Sequence, residues 1–221
     1  GWEVKRLYDL ESFDKFQNGY AFKGDLFKDT GKPIIRIGNI QNNTITTNNL
    51  VFIDENDYQD NLADFVVKSG DLLIAMSGAT TAKVAINLTE LEFYQNQRVG
   101  NIKFRSELEK KYIFYFLIFK EEENRNIAYG AAQPNISSTQ IQNLNVPVPK
   151  KSESQQLIVN ILDSAHKIIK EREKAIKLCE DLIEAAFYEM FGDPIRNDKG
   201  FTLKKISDMV DINPPKQKLD D

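Results

Sequence analysis

The chain has few of the residues that form disulfide bonds or metal sites. Among its 221 residues there is one cysteine, Cys179, and one histidine, His166. A single cysteine excludes a disulfide framework and a cysteine-based metal site within the chain. A single histidine excludes a histidine-rich metal site and counts against a Ser-His-Asp catalytic triad. We therefore expect no metal centre.

Long apolar runs and excess positive charge are also lacking. No apolar stretch reaches the roughly 18 residues that a membrane span needs, and no signal peptide opens the chain. We therefore expect a cytoplasmic protein. The chain has 29 Lys and Arg against 33 Asp and Glu, a net charge of −4. Any binding of nucleic acid must then come from a local patch and not from bulk charge.

Motifs that would carry catalysis are incomplete. Asn213-Pro214-Pro215-Lys216 lacks the aromatic residue of the Asn-Pro-Pro-aromatic tetrapeptide of amino-methyltransferases. The loop 77–83 (SGATTAK) lacks the second glycine and the Ser or Thr that complete a phosphate loop. The carboxylates of residues 54–64 lack the central glycine of a calcium loop, which favours a solvated acidic loop. We expect no cofactor.

The most informative feature present is a repeat. Residues 1–10 (GWEVKRLYDL) and 200–209 (GFTLKKISDM) share an order of Gly, aromatic, any, aliphatic, basic, basic, aliphatic, any, Asp and apolar. A chain that restarts its opening after one complete unit resembles the first half of a duplicated protein. Residues 193–221 are therefore interpreted as the truncated start of a second repeat.

The first 150 residues indicate a mixed α/β (α+β) domain. Runs rich in Val and Ile predict strands over 34–40, within 64–77, over 83–88 and over 98–104. Ser106 with Glu109 predicts a capping box that opens a helix, and residues 143–149 (NLNVPVP) form an extended segment that closes the domain.

A long helix is predicted next, over residues 151–192. It opens at a second capping box, Ser152 with Gln155, and Gly192 and Pro194 end it. Apolar residues at alternating spacings of four and three form a heptad seam, typical of a coiled coil. The seam includes Ile158, Leu162, Ile169, Arg172, Ile176 and Ile183. Nearly forty residues make a rod of about 55–60 Å. A partner helix is favoured over packing along the chain's own domain.

Polar loops without carboxylates are the candidate DNA contacts. The turn 95–98 (QNQR) gathers amides, which read adenine, and a guanidinium, which reads guanine. Small hydroxyl-bearing loops can approach a phosphate backbone. A solvated turn is the plain alternative for each loop, and Ser137 or Ser138 is expected to cap a short helix. The predicted contacts are Lys23, Arg36, Thr80, Thr81, Lys83, Asn96, Gln97, Arg98, Gln133 and Asn135.

A series of motifs carries a family resemblance over about residues 2–210. They include residues 2–5 (WEVK), 19–23 (GYAFK), 32–40 (KPIIRIGNI), 70–75 (GDLLIA) and 146–149 (VPVP) with 155–159 (QQLIV). In this order they resemble the specificity subunit of type I restriction-modification enzymes. One departure is Ala82, where that family usually has glycine before the lysine, which leaves the conformation of this loop open.

The resemblance implies a function and partners. In that family a full subunit has two target-recognition domains separated by two long helices that pair antiparallel. Each domain reads one half of a split sequence in double-stranded DNA. The subunit has no catalysis of its own and positions methyltransferase (modification) subunits, with restriction subunits in the full complex. A half-subunit that pairs as a homodimer and a fragment of a two-domain subunit both fit this chain. The alternatives are a coiled-coil scaffold without DNA binding and an enzyme with an unrecognised site.

Overall fold

The computed structural model describes residues 1–128 and 135–210. The chain divides into two compact units, Gly1–Ser164 and Ala165–Asp221. The strands are β1 (Trp2–Arg6), β2 (Phe13–Asn18), β3 (Lys32–Ile35), β4 (Ile40–Gln41), β5 (Thr44–Ile45), β6 (Val51–Ile53), β7 (Val66–Val67), β8 (Leu72–Ala75), β9 (Val84–Ile86), β10 (Phe93–Gln95), β11 (Val99–Phe104) and β12 (Asn145–Pro149). The α-helices are α1 (Glu107–Phe119), α2 (Glu121–Ala128), α3 (Ser138–Gln142) and α4 (Ser152–Phe191).

Two four-stranded sheets form the body of the first unit. One has the strand order β6-β3-β10-β7 and the other the order β2-β11-β8-β9. Strands β3 and β10 pair in parallel, whereas the other pairs in these sheets are antiparallel. Two ribbons, β1-β12 and β4-β5, complete the strands of the described residues. The mixed α/β domain followed by a long helix is confirmed.

Strand β8 joins two hydrophobic cores. Its four residues are fully buried, which explains the continuous apolar run LLIA in the sequence. Leu72 and Ile74 face one core, which includes Ile113 and Leu117 of α1. Leu73 and Ala75 point to the other face of the sheet and pack in the second core. The alternation of side chains along a strand therefore lets one short segment hold both halves of the domain together.

The ribbon β1-β12 brings the two ends of the domain together. Trp2 lies opposite Pro149, and Arg6 lies opposite Asn145. The Tyr112 hydroxyl of α1 donates to the Pro147 carbonyl at 2.5 Å. Burial raises the pKa of this tyrosine, so it stays a donor at neutral pH. The extended segment predicted before the long helix is confirmed as β12.

Several local predictions are corrected. The strand predicted over 34–40 ends at Ile35, and a 3-10 turn, Ile37–Asn39, interrupts it. Ser106 caps α1 by accepting from the Glu109 amide, but the Glu109 carboxylate instead accepts from the Ser12 amide at 2.9 Å. This long-range bond replaces the reciprocal half of the predicted capping box.

At the two later helix starts the outcomes differ. Ser137 caps α3, one of the two caps predicted, and it forms a full capping box with Gln140 that the sequence patterns did not predict. Ser152 lies inside the first turn of α4, where the Lys151 carbonyl accepts from the Ser154 and Gln155 amides. The predicted cap at Ser152 is therefore wrong by one residue.

The long helix α4 is confirmed as one element of 40 residues, and Gly192 follows it with φ +71°. Val159 in its second turn is buried in the first core, and Ile158 packs against that core. Beyond this point the seam is open: Ile169, Ile176 and Ile183 are 54, 61 and 71 % exposed. None of the helices in residues 1–128 and 135–210 has the length and apolar character needed to cross a membrane.

The two similar segments, residues 1–10 and 200–209, each contain a 3-10 turn. The 3-10 turn Ile206–Asp208 occupies the position that the 3-10 turn Leu7–Asp9 has in the opening segment. Leu7 is fully buried, whereas Ile206 is 71 % exposed. The same local conformation therefore forms in both segments, although only the first is covered by a domain. Asn213, Pro214 and Pro215 lie outside the described residues.

Candidate nucleic-acid interface

Four segments that contain predicted DNA contacts are joined by hydrogen bonds. The Met76 amide, at the end of β8, donates to the Arg98 carbonyl at 2.9 Å. The Met76 carbonyl accepts from the Ile136 amide at 2.9 Å, and Ser77 and Asn135 form an isolated antiparallel bridge. The Thr80 hydroxyl donates to the Ile37 carbonyl at 3.1 Å. The loops after β3, β8 and β10 and the segment that precedes α3 therefore meet at one end of the domain.

The turn Asn96–Arg98 is fixed from beneath by Gly19 and Tyr20. The Tyr20 amide donates to the Gln95 carbonyl, and the Gln97 amide donates to the Tyr20 carbonyl, both at 2.8 Å. A Cβ atom on Gly19 would lie 2.1 Å from the Asn96 carbonyl oxygen. Only glycine permits this approach, which leaves the side chains of Gln97 and Arg98 on the exposed side of the turn.

Beside this turn lies an open cavity of about 690 Å³. Arg36 and Arg98 line it, and so do the amide side chains of six residues: Asn39, Gln41, Asn48, Asn49, Asn96 and Gln97. Among the described residues that line it, none carries a carboxylate. In a chain with more acidic than basic residues, this surface has a local positive charge and many hydrogen-bonding groups.

The predicted contacts are distributed unevenly around the cavity. Arg36, Asn96, Gln97 and Arg98 line it. Lys23 is exposed and lies between two lining residues, Phe22 and Gly24. These residues are brought together as the sequence predicts.

The remaining predicted contacts lie at the margin or elsewhere. Thr80 and Asn135 belong to the loops that the backbone bonds join. Lys83 is half-buried after the turn, where its amide donates to the Thr80 carbonyl at 3.0 Å. Thr81 is 1 % exposed and its hydroxyl donates to the Gly78 carbonyl at 2.6 Å, so its place is structural. Gln133 lies outside the described residues.

Sequence reasoning missed the segment of residues 46–49, which we call the asparagine arm. Thr46, Asn48 and Asn49 line the cavity. Each was overlooked because Asn and Thr are also typical of ordinary turns. The signal that could have found the arm is a run without Asp or Glu over residues 30–53.

Acidic groups are gathered in a second pocket of about 470 Å³, lined among others by Glu55, Asp60, Glu92 and Tyr94. The Tyr94 hydroxyl donates to the Glu55 carboxylate, and the Tyr20 hydroxyl donates to Asp60. Burial, followed by the bond to Glu55, raises the pKa of Tyr94 to about 12.

The neighbouring acidic loop is held by hydrogen bonds and an ion pair. The Asn56 amide lowers the pKa of the Asp54 carboxyl, and Lys28 pairs with Asp57 at 2.7 Å. Within the described residues, no group of three or more His, Cys, Asp and Glu side chains is placed to hold a metal ion.

Comparison with known proteins identifies the family. A model of the family described as "type I restriction modification DNA specificity domain" matches residues 1–178. The chain belongs to this family. It is 28 % identical over 197 residues to the type I restriction enzyme MjaVIII specificity subunit of Methanocaldococcus jannaschii, covering 82 % of the chain and 45 % of that protein. The sequence resemblance to specificity subunits is confirmed.

Two solved structures share the fold of this specificity-domain chain. One is the S subunit of a type I restriction-modification system from M. genitalium, with a TM-score of 0.60 and 17 % identity over 90 % of the chain and 48 % of that structure. The other is the HsdS subunit from Thermoanaerobacter tengcongensis, with a TM-score of 0.57 and 20 % identity over 79 % of the chain and 40 % of that structure. The chain thus spans less than half the length of each of these relatives.

Proposed function

We propose that the chain recognises one half of a split sequence in double-stranded DNA within a type I restriction-modification complex. The observation that carries this proposal is the cavity without carboxylates, lined by two arginines and six amide side chains, in a chain of net charge −4. Membership of the DNA specificity domain family supports the same conclusion. Neither observation favours the alternative of a scaffold without DNA binding.

The geometry suggests that different residues contact the phosphates and the bases of DNA. Lys23 and Lys83 are suited to phosphate contacts, which position a protein on the duplex without reading sequence. Gln97 and Arg98 are exposed on a turn whose backbone is fixed, and their side chains match the edges of adenine and guanine in the major groove. The domain would therefore contribute specificity and not chemistry, with no cofactor.

The exposed seam of α4 is the proposed pairing surface for a second copy or a second repeat. A second apolar stripe, Ile161, Ile168, Ala175 and Leu182, lies along one side of it. In a parallel pair this stripe would face the partner's opposite flank, where Glu173 and Glu180 lie. In an antiparallel pair the stripe of one helix faces the same stripe of its partner, so apolar side chains cover apolar side chains.

Antiparallel pairing also provides the assembly with a spacer. A helix of about 60 Å separates its two ends by the length of roughly seventeen base pairs. Two recognition domains at opposite ends would then lie on separate half-sites. We propose that modification subunits dock on this frame and that restriction subunits join the full complex.

The function is tested with duplex DNA of randomised sequence, selected by binding to the chain assembled with a modification subunit and then sequenced. We expect one enriched motif, and methylation of DNA by the assembled complex but not by the purified chain alone. Lys23→Ala should weaken binding to all sequences alike and reduce the salt dependence by about one charge. Lys68→Ala, a change in the acidic pocket, is the matched control. Enrichment of no motif would contradict the proposal.

A further inference from the structure

The asparagine arm is held by the side chains of two residues, Asn39 and Arg36. Asn39 is 3 % exposed, and its amide group donates to the carbonyls of Thr46 and Asn48, both at 3.2 Å. The Arg36 guanidinium donates to the Asn49 carbonyl at 3.1 Å and lies 6.0 Å from the centre of the Phe27 ring. Three backbone carbonyl groups of the arm are thus held by the side chains of Asn39 and Arg36.

The hairpin before the arm is equally constrained. Strands β4 and β5 are joined by Asn42 and Asn43, which have φ of +50° and +59° and form a two-residue turn of the type that matches strand twist. Ile40 is fully buried and Ile45 is 7 % exposed, so both anchor the hairpin in the second core. The arm therefore leaves a rigid support and not a loose loop.

The outward side of the arm carries amide groups. Asn48 and Asn49 are exposed and line the same cavity as Arg98. In the described part of the chain, their backbone groups are held by Asn39, Arg36 and the Thr46 hydroxyl, and no hydrogen bond engages their side-chain amides. An asparagine presents a donor and an acceptor together, which matches the N6 and N7 edge of adenine.

We propose that the asparagine arm is a base-reading element in which Asn48 and Asn49 recognise an adenine edge in the major groove. This inference rests on the proposed function and names a part of that surface which the sequence patterns did not predict. Arg36, with its guanidinium committed to Asn49 and Phe27, is a positioning residue for the arm. A rigid arm limits the entropy lost when its side chains bind.

The test uses Asn48→Asp and Asn49→Asp, which keep the side-chain shape but replace the donor by a carboxylate. A carboxylate accepts from the cytosine amino group and cannot donate to adenine N7. With duplex DNA of randomised sequence and the assembled complex, we expect adenine preference to fall about 5- to 100-fold at one position and to shift towards cytosine. Other positions of the motif should be unchanged.

Asn56→Asp is the matched control, because Asn56 is an exposed asparagine in the acidic loop and gains the same charge. Arg36→Lys keeps the positive charge but loses the guanidinium group that holds the Asn49 carbonyl. We expect a weaker base preference at the same motif position, with no change in the salt dependence of binding. Selection of the wild-type motif by both arm variants, or a uniform weakening without loss at one position, would overturn the proposal. If the wild-type complex itself enriches no motif, the proposed function fails and this assignment fails with it.

Discussion

At the scale of single residues, Gly19 controls the shape of the 96–98 turn. A Cβ atom there would lie 2.1 Å from the Asn96 oxygen and 2.5 Å from the Gln95 oxygen, both in the backbone. Backbone cannot rotate away as a side chain can. We expect Gly19→Ala to lower the free energy of unfolding by about 2–4 kcal/mol, a size typical of overpacking and backbone strain. Denaturant unfolding measures this loss.

Gly24→Ala is the matched control for that substitution. A Cβ atom on Gly24 has no neighbour within 4 Å, and the residue is exposed. Its unfolding free energy should stay within about 0.5–1 kcal/mol of the wild type. Equal losses in the two variants would show that the close approach at Gly19 is unimportant for stability.

Ala82 has the backbone conformation of a glycine. Its φ is +70°, which costs an L-residue about 1–2 kcal/mol. Ala82→Gly removes this strain, but it also removes a buried methyl group and increases the conformational entropy of the unfolded chain. We therefore expect a change in unfolding free energy of less than about 1 kcal/mol. Ala85→Gly, equally buried but in strand β9, relieves no strain and should cost at least about 1 kcal/mol more. Equal costs in denaturant unfolding would contradict this account.

Residue types predicted several residues that line the cavity but not what each residue contacts there. Arg36 and Arg98 both line the cavity, yet Arg36 is committed to Asn49 whereas Arg98 lies exposed on its turn. Thr81 was grouped with Thr80 but is buried. These differences depend on contacts between segments far apart in sequence, such as the Thr80 bond to Ile37, which periodicity and composition do not encode.

At the scale of elements, α1 anchors the start of α4. Asp163 of α4 accepts from Lys111 Nζ and from the Tyr115 hydroxyl of α1, both at 2.7 Å. Burial, followed by the bond to Asp163, raises the pKa of Tyr115, so its hydroxyl remains a donor. The first turns of α4 are thus joined to the domain by packing of Val159 and by this polar contact.

We expect Asp163→Ala to lower the unfolding free energy of the domain by about 1–2 kcal/mol, because a partly buried tyrosine loses its acceptor. A double-mutant cycle with Tyr115→Phe should give a coupling of about 1 kcal/mol. Asp181→Ala, which removes an exposed pair with Lys177 within the rod, should cost less than about 0.5 kcal/mol. A coupling near zero by denaturant unfolding would mean that the contact does not anchor the helix.

Elements with strong local signals were predictable from sequence. The helix α4 ends where Gly192 predicts, and β8 lies within its apolar run. The strand predicted over 34–40 was wrong because Gly38 and Asn39 turn the chain, and the Asn39 side chain bonds to carbonyls of the asparagine arm. Pairing between distant strands, such as the parallel pair of β3 and β10, has no local signal.

At the scale of the whole molecule, the seam of α4 is symmetric about Lys174. Its positions run 158, 162, 165, 169, 172, 176, 179, 183, 186 and 190, and the spacings of four and three read the same in both directions. In an antiparallel pair with its two-fold axis at this level, each apolar position faces another seam position. Arg172 then lies level with the partner's Ile176, so two arginines do not meet.

Cys179, exposed on the seam, makes this register testable. In the antiparallel register it lies level with the partner's Ile169, while the two Cys179 residues are about 15 Å apart along the axis. A disulfide needs Cα atoms within about 7 Å. Under mild oxidation we therefore expect no covalent dimer of the wild-type chain and a covalent dimer of Ile169→Cys, measured by non-reducing electrophoresis.

The Ile176→Cys variant distinguishes the antiparallel register from a parallel pair in register. A parallel pair in register would place Cys179 against Cys179, so the wild type and Ile176→Cys would both cross-link. In the antiparallel register the cysteine at 176 lies about 10 Å along the axis from the partner's Cys179 and about 6 Å from the partner's residue 176. The separation of about 8–10 Å between the helix axes adds to both distances, so Ile176→Cys should stay unlinked. Cross-linking of the wild type would reverse the proposed direction of pairing. Absence of any cross-link in Ile169→Cys would leave the seam without a second copy, and a helix of the second repeat would then be its partner.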